Sequence, residues 1–146
     1  MKKILYQINH LKKIANSINN NLKKVDILLL NGELGTGKTQ LIKYILESLG
    51  IKKEMVTSPS FNLVNQYYLK KFTIWHYDLY KIKNYTKFTD LNLENFFKNA
   101  IIFIEWGEVI KLLLPSYHIE LEFIHTKKYI TRKIIFYKNE KFYLYK

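Results

Sequence analysis

Gly32-Glu33-Leu34-Gly35-Thr36-Gly37-Lys38-Thr39 decides how this chain of 146 residues is read. The octapeptide fits G-x-x-x-x-G-K-[ST], a phosphate-binding loop whose backbone N–H groups and following helix dipole converge on an anion. Its flanks suit that role. Residues 25–30 form a short apolar run broken only by Asp26, as expected of a buried strand. From Thr39 onward Leu41, Ile42, Ile45, Leu46 and Leu49 recur on one helical face, and Gly50 supplies the stop. Glu33, Leu34, Gly35, Thr36, Gly37, Lys38, Thr39 and Gln40 therefore make up the candidate nucleotide-binding stretch. Lys38 would neutralise the β- and γ-phosphates of a nucleotide, and the Thr39 hydroxyl would be a ligand of Mg²⁺. Lys38 is expected to stand exposed, so that its loss changes stability little.

Outward from the loop, the length suits one domain spanning residues 1–146, and 48% hydrophobic with 16% aromatic residues is too apolar for disorder. No apolar run approaches the roughly 18–20 residues that span a bilayer. The basic start reaches Gln7, Asn9 and His10 before a signal-peptide core could form. A cytoplasmic protein with no membrane contact is expected. Zero cysteines exclude disulfides, thiolate metal sites and a cysteine nucleophile. The net charge of +12 arises from 24 Lys and Arg against 12 Asp and Glu, yet Arg132 is the sole arginine. Arginine is the residue that reads phosphates and base edges bidentately, so the scattered lysines read as a solvated surface rather than a nucleic-acid patch.

Asn9 is expected to cap an amphipathic helix bearing Leu11, Ile14, Ala15, Ile18 and Leu22 on its apolar face. Residues 61–68 and 71–80 are rich in aromatic and β-branched side chains and predict two adjacent strands. Asp90 precedes an expected helix over 91–98, and 100–104 reads as another buried strand. Beyond Pro115, runs at 117–124, 129–137 and 141–145 predict antiparallel strands. The expected fold is α/β: a P-loop NTPase-like three-layer sandwich with a mixed central sheet and antiparallel C-terminal strands.

A phosphate loop needs a carboxylate to hold the metal, commonly at the end of a hydrophobic strand beside the loop's own. Ile101-Ile102-Phe103-Ile104-Glu105 supplies Glu105 there. Asp78, inside the aromatic run Trp75-His76-Tyr77-Asp78-Leu79-Tyr80, is costly unless paired or working; it orients the attacking water or the metal's water shell, or else faces solvent on an edge strand or turn. His76 lacks a second histidine at ligand spacing and reads as structural. Ser58 and Ser60, around Pro59, form either a γ-phosphate sensor or a plain turn into a strand. Trp106 alone reads as a core residue.

Together, residues 31–39, 57–67, 76–81 and 104–108 resemble the small ATPase family of the bacterial threonylcarbamoyl-adenosine tRNA modification pathway. That family looks like G-[DE]-L-G-[AT]-G-K-T, S-P-[TS]-[FY]-x-L-V-x-x-Y, H-x-D-L-Y-R and I-E-W-x-E, in this order. The resemblance implies that Lys38 and Thr39 carry phosphate and Mg²⁺, that Glu105 completes the metal site, and that Asp78 is a catalytic acid. It also implies Ser58 in a switch-like segment with Ser60, Trp106 and Glu108 near the nucleotide, and Arg132 near the phosphates. Lys81 stands where the family usually has arginine, and Ser60 where it usually has threonine. The implied activity is a weak, partner-activated Mg²⁺-dependent ATPase. It would act with a sugar-kinase-like threonylcarbamoyl transferase subunit and its inactive relative to modify adenosine 37 of tRNAs reading codons that begin with A. Contact with tRNA would be indirect. The alternative is a small P-loop metabolite kinase, disfavoured because such kinases bring several arginines over the transferred phosphoryl. A GTPase is disfavoured by the lack of an N-K-x-D stretch.

Overall fold

The computed structural model describes residues 2–22, 27–82, 100–115, 118–127 and 131–137. Its elements are β1 (Lys2–Tyr6), α1 (Leu11–Asn19), β2 (Ile27–Gly32), α2 (Lys38–Ser48), β3 (Val64–Tyr68), β4 (Thr73–Asp78), β5 (Ala100–Glu105), β6 (Ile119–His125) and β7 (Arg132–Tyr137). Short 3₁₀ stretches occupy Ile8–His10, Lys53–Met55 and Gly107–Leu113. The strands form one seven-stranded sheet in the order β1-β7-β6-β2-β5-β4-β3. Its centre is parallel, with β2 between β5 and β6 and β4 beside β5. Both edges are antiparallel, β3 on β4 at one side and the β6–β7–β1 succession at the other. The fold is therefore α/β with a mixed sheet.

Alternation along the strands divides the core. Leu28 and Leu30 of β2, Ile101 and Phe103 of β5, and Leu121 and Phe123 of β6 pack with Leu11, Ile14 and Ile18 of α1 and Leu41, Ile42 and Ile45 of α2. Ile27, Leu29, Ile102 and Ile104 face the other way, against Tyr77, Ile110 and Leu114. Both helices thus share one face, and among the described residues the second face carries the Gly107–Leu113 stretch. No helix there is long and apolar enough to cross a membrane.

Several boundaries differ from expectation. Asn9 caps nothing; it lies inside the Ile8–His10 turn, and the extended residue is Gln7, whose N–H donates to His10 Nδ1 at 3.4 Å. Leu22 lies beyond α1 yet still packs on the core. The strand expected from Phe61 starts only at Val64. Pro59 O accepts from the N–H groups of Asn62 and Leu63, and Leu63 is left-handed at φ 67°, so the chain turns before it extends. Of the C-terminal strands, β6 is antiparallel to β7 as expected but parallel to β2. β1 was not anticipated, because its period-two signal is only five residues long. Residues 25–26, the helix at 91–98 with Asp90, and the strand at 141–145 lie outside the described residues.

Candidate nucleotide and metal site

Three parallel strands, β2, β5 and β4, end at the same edge of the sheet, the place where α/β sheets bind ligands. β2 runs into the loop at Gly32. Its φ of 121° suits glycine, and a Cβ there would sit 2.0 Å from the Phe123 carbonyl oxygen on neighbouring β6. The loop is propped from below: Tyr6 Oη donates to Thr36 O at 2.6 Å, and Thr36 Oγ1 donates to Glu33 O at 2.8 Å. Gly37 then opens α2, an eleven-residue helix whose first-turn N–H groups stand free at the cleft.

The cleft, about 430 Å³, is lined by Leu34, Gly35, Gly37, Lys38, Thr39, Gln40, Ser58, Asp78, Glu105 and Trp106, with Ile8, Lys43, Ser60 and Tyr80. Lys38 is not exposed as expected but only 4% accessible, because it begins α2 rather than standing on the loop. Its Nζ donates to Gly32 O at 2.6 Å and Glu33 O at 2.8 Å, and lies 3.8 Å from the Trp106 ring centroid. Burial pushes the Lys38 ammonium below its ordinary range, opposed chiefly by Glu105 and then by Asp78, Glu108 and Glu33.

Glu105 ends β5, buried, with both carboxylate oxygens engaged. Thr39 Oγ1 donates to Oε2 at 2.8 Å, and His76 Nε2 lies 2.8 Å from Oε1. Asp78 is level with it on β4 and has its own donors. Ser60 Oγ donates to Oδ2 at 2.6 Å, Ser58 Oγ to the same oxygen at 3.2 Å, and Tyr80 N–H to Oδ1 at 3.1 Å. Asp78 is thus a buried, caged carboxylate and not a solvent-facing turn residue.

Trp106 follows with φ 59°, a left-handed conformation that costs a non-glycine residue about 1–2 kcal/mol. Its N–H donates to Leu30 O at 3.0 Å, and its ring packs on Tyr80 with centroids 4.9 Å apart. The strain turns the indole to the cleft and over Lys38, so Trp106 is a half-buried wall of the site rather than a core residue.

The fit to Mg²⁺ and a nucleotide can be judged from these donors. Mg²⁺ keeps waters and typically takes one or two carboxylates plus substrate phosphates, so one hydroxyl and one carboxylate already in contact are suitable protein ligands. Among the described residues there is no cluster of three His, Asp or Glu side chains fit to hold a metal by themselves.

Four expected residues are outside the lining. Glu33 and Glu108 are exposed and act on Lys38 through charge, and Thr36 is buried under the loop. Arg132 sits on β7 opposite Tyr6 and His125, at the loop's end of the sheet, with Nε buried and without a hydrogen-bond partner. Lys81 lies 4.6 Å over the Phe61 ring. The contact of His76 with Glu105 is not expected from sequence, although i, i+2 spacing from Asp78 puts His76 and Asp78 on one face of a strand. Lys43, one helical turn beyond Thr39, and Tyr80, Ile8 and Tyr6 are likewise not expected from sequence.

The family model for "Threonylcarbamoyl adenosine biosynthesis protein TsaE" matches residues 5–134. The tRNA threonylcarbamoyladenosine biosynthesis protein TsaE of Rickettsia felis is 39% identical over 127 residues, covering 86% of this chain and 74% of that protein. The protein of the same name from Bacillus subtilis is 32% identical over 100 residues, covering 68% and 61%. The crystal structure of Bacillus subtilis YdiB superposes with a TM-score of 0.71 and 25% identity, over 92% of this chain and 84% of that one. The family model and these relatives cover most of the chain, the sheet edge that carries Lys38, Asp78 and Glu105 included, and the chain belongs to the TsaE family of threonylcarbamoyl adenosine biosynthesis proteins.

Proposed function

We propose that this chain is the ATP-binding and hydrolysing subunit of tRNA threonylcarbamoyladenosine biosynthesis, a single P-loop NTPase-like domain of three layers acting as a weak Mg²⁺-dependent ATPase. The observation that carries the reading is the convergence of Lys38, Thr39, Glu105 and Asp78 in one cleft at the N-terminus of α2. The loop amides and the α2 N-terminus receive the phosphates, and the Lys38 ammonium has two carbonyls to exchange for phosphate oxygens. Thr39 and Glu105 would hold Mg²⁺, which when bound supplies charge neutralisation to the phosphates. Asp78 accepts the proton of an attacking water, its carboxylate aimed by Ser58, Ser60 and the Tyr80 N–H.

No arginine lines the cleft, so the transition-state charge lacks the arginine that many phosphoryl-transfer enzymes supply beside the loop lysine. Slow hydrolysis by the isolated chain follows, with the threonylcarbamoyl transferase subunit and its inactive sugar-kinase-like relative completing the site. The test is threonylcarbamoyl transfer to excess tRNA by that purified pair. Repeated turnover on adding this chain with ATP, and stalling with Asp78→Asn, is expected; equal turnover without the chain refutes the proposal. ATP-dependent phosphorylation of a small metabolite by the chain alone would support the kinase reading instead.

A further inference from the structure

β4 and β5 run parallel with His76 opposite Phe103 and Asp78 opposite Glu105, so His76, Asp78 and Glu105 project from one face of the sheet. Asp78 draws its donors from Ser58, Ser60 and Tyr80. Glu105 takes His76 on one oxygen and Thr39 on the other, both at 2.8 Å, which fixes the position and plane of its carboxylate.

His76 is fully buried, and among the described residues its Nδ1 has no hydrogen-bond partner. A buried polar atom left unpaired is destabilising, so an apolar residue of this size would fill the space at less cost. What an apolar residue lacks is a donor for Glu105. Oε1 of that carboxylate accepts, which assigns the ring proton to Nε2. Resting on the ATPase reading above, we infer that His76 is the positioning residue of the metal site: its Nε2–H holds Glu105 Oε1 and keeps the carboxylate turned toward Thr39 and the cation those two would share. Ligating carboxylates are commonly held in this way by outer hydrogen bonds.

The inference is tested on nucleotide-loaded protein. Calorimetric titration of Mg²⁺ into the ADP-saturated chain is compared for wild type, His76→Phe, His76→Asn and His76→Gln, with ADP affinity in EDTA as the control. The glutamine amide nitrogen reaches the position of Nε2, whereas that of asparagine falls at Nδ1. Apparent Mg²⁺ affinity is expected to fall about 10–100-fold in His76→Phe and His76→Asn and to return to within about threefold in His76→Gln, with ADP affinity in EDTA nearly constant. Should His76→Phe fail to fold, the glutamine–asparagine contrast still decides. Equal Mg²⁺ affinities across the variants, or losses that appear equally in EDTA, overturn the inference. So does a long-range ¹H–¹⁵N spectrum of the wild type showing no proton on His76 Nε2. Wild-type ADP binding indifferent to Mg²⁺ would instead remove the ATPase reading, and this role with it.

Discussion

Asp78→Asn distinguishes a carboxylate that takes a proton from one that merely anchors the loop bearing Ser58 and Ser60. Asparagine has nearly the same shape, so its Oδ1 keeps the Tyr80 N–H bond while an amide nitrogen replaces Oδ2. The two serine hydroxyls lie 2.6 Å apart and can reverse, Ser60 accepting from the new amide and donating to Ser58. Two bonds to a charged acceptor, about 1.5–3 kcal/mol each, become neutral bonds of about 0.5–1.5. One of them is already long at 3.2 Å, so the fold is expected to lose about 1–3 kcal/mol, a tolerable part of a typical 5–15. The chemistry has no such substitute: loss of a general base costs about 10²–10⁴ in rate. Urea unfolding, Mg·ATP calorimetry and single-turnover phosphate release on the same preparation should therefore show a folded protein, a Kd within a few-fold of wild type, and hydrolysis reduced at least about a hundredfold. Hydrolysis within tenfold of wild type would refute the proton-accepting role and leave Asp78 as the anchor.

Lys38→Ala is expected to abolish productive Mg·ATP binding by calorimetry, and its stability change is set by opposed terms. Two charge-assisted bonds are lost and a buried ammonium is removed, so urea unfolding should shift by less than about 2 kcal/mol. Gly107→Ala should destabilise by about 1–3 kcal/mol in thermal unfolding, because a Cβ there meets Leu29 Cδ1 at 2.0 Å and Ile104 Cγ2 at 2.9 Å. Burial keeps the Tyr6 and Tyr77 phenols protonated in the folded chain well above the ordinary value of 10.0, while the unfolded chain ionises there. The unfolded state then binds fewer protons, so stability is full below pH 10 and falls above it by up to about 1.4 kcal/mol per pH unit for each tyrosine. Tyr77→Phe should remove one such increment from the slope measured by denaturant unfolding between pH 10 and 11.

What could be read from sequence was whatever depends on local spacing. The octapeptide at 32–39 carries its own turn chemistry, and the apolar face of α2 is periodic enough to be unambiguous. Ala100–Glu105 reads as a strand because all six residues are buried, which leaves a continuous apolar run ending in one acid. What could not be read depends on which strands become neighbours. His76 becomes a partner of Glu105 only because β4 pairs with β5 in parallel, a pairing no spacing within either strand encodes. Tyr6 reaches Thr36 only because β1 closes the far edge against β7. The burial of Lys38 was missed for a related reason: the loop motif specifies its charge but not the Trp106 ring that a left-handed residue folds over it.

The same pairing determines which parts of the site can respond to a nucleotide. β5 lies between β2 and β4, with Glu105 opposite Leu30 on one side and Asp78 on the other. Beyond the ladder, Leu79 N–H still donates to Glu105 O and Trp106 N–H to Leu30 O, both at 3.0 Å, so the strand ends are tied where the acids emerge. A slip of one residue would send His76, Asp78 or Glu105 to the opposite face, exchanging buried apolar contacts for buried charge, and the register is therefore firmly set. Glu105 and His76 belong to that rigid frame. Ser58 and Ser60 do not: Ser58 precedes, and Ser60 lies within, a turn held to Pro59 O by two backbone bonds and carrying the 91% exposed Phe61. Under the proposed ATPase function, a γ-phosphate or a docking partner would meet the least resistance along that turn, and a change there would reach Asp78 through its two serine bonds while Thr39 and Glu105 stay in place.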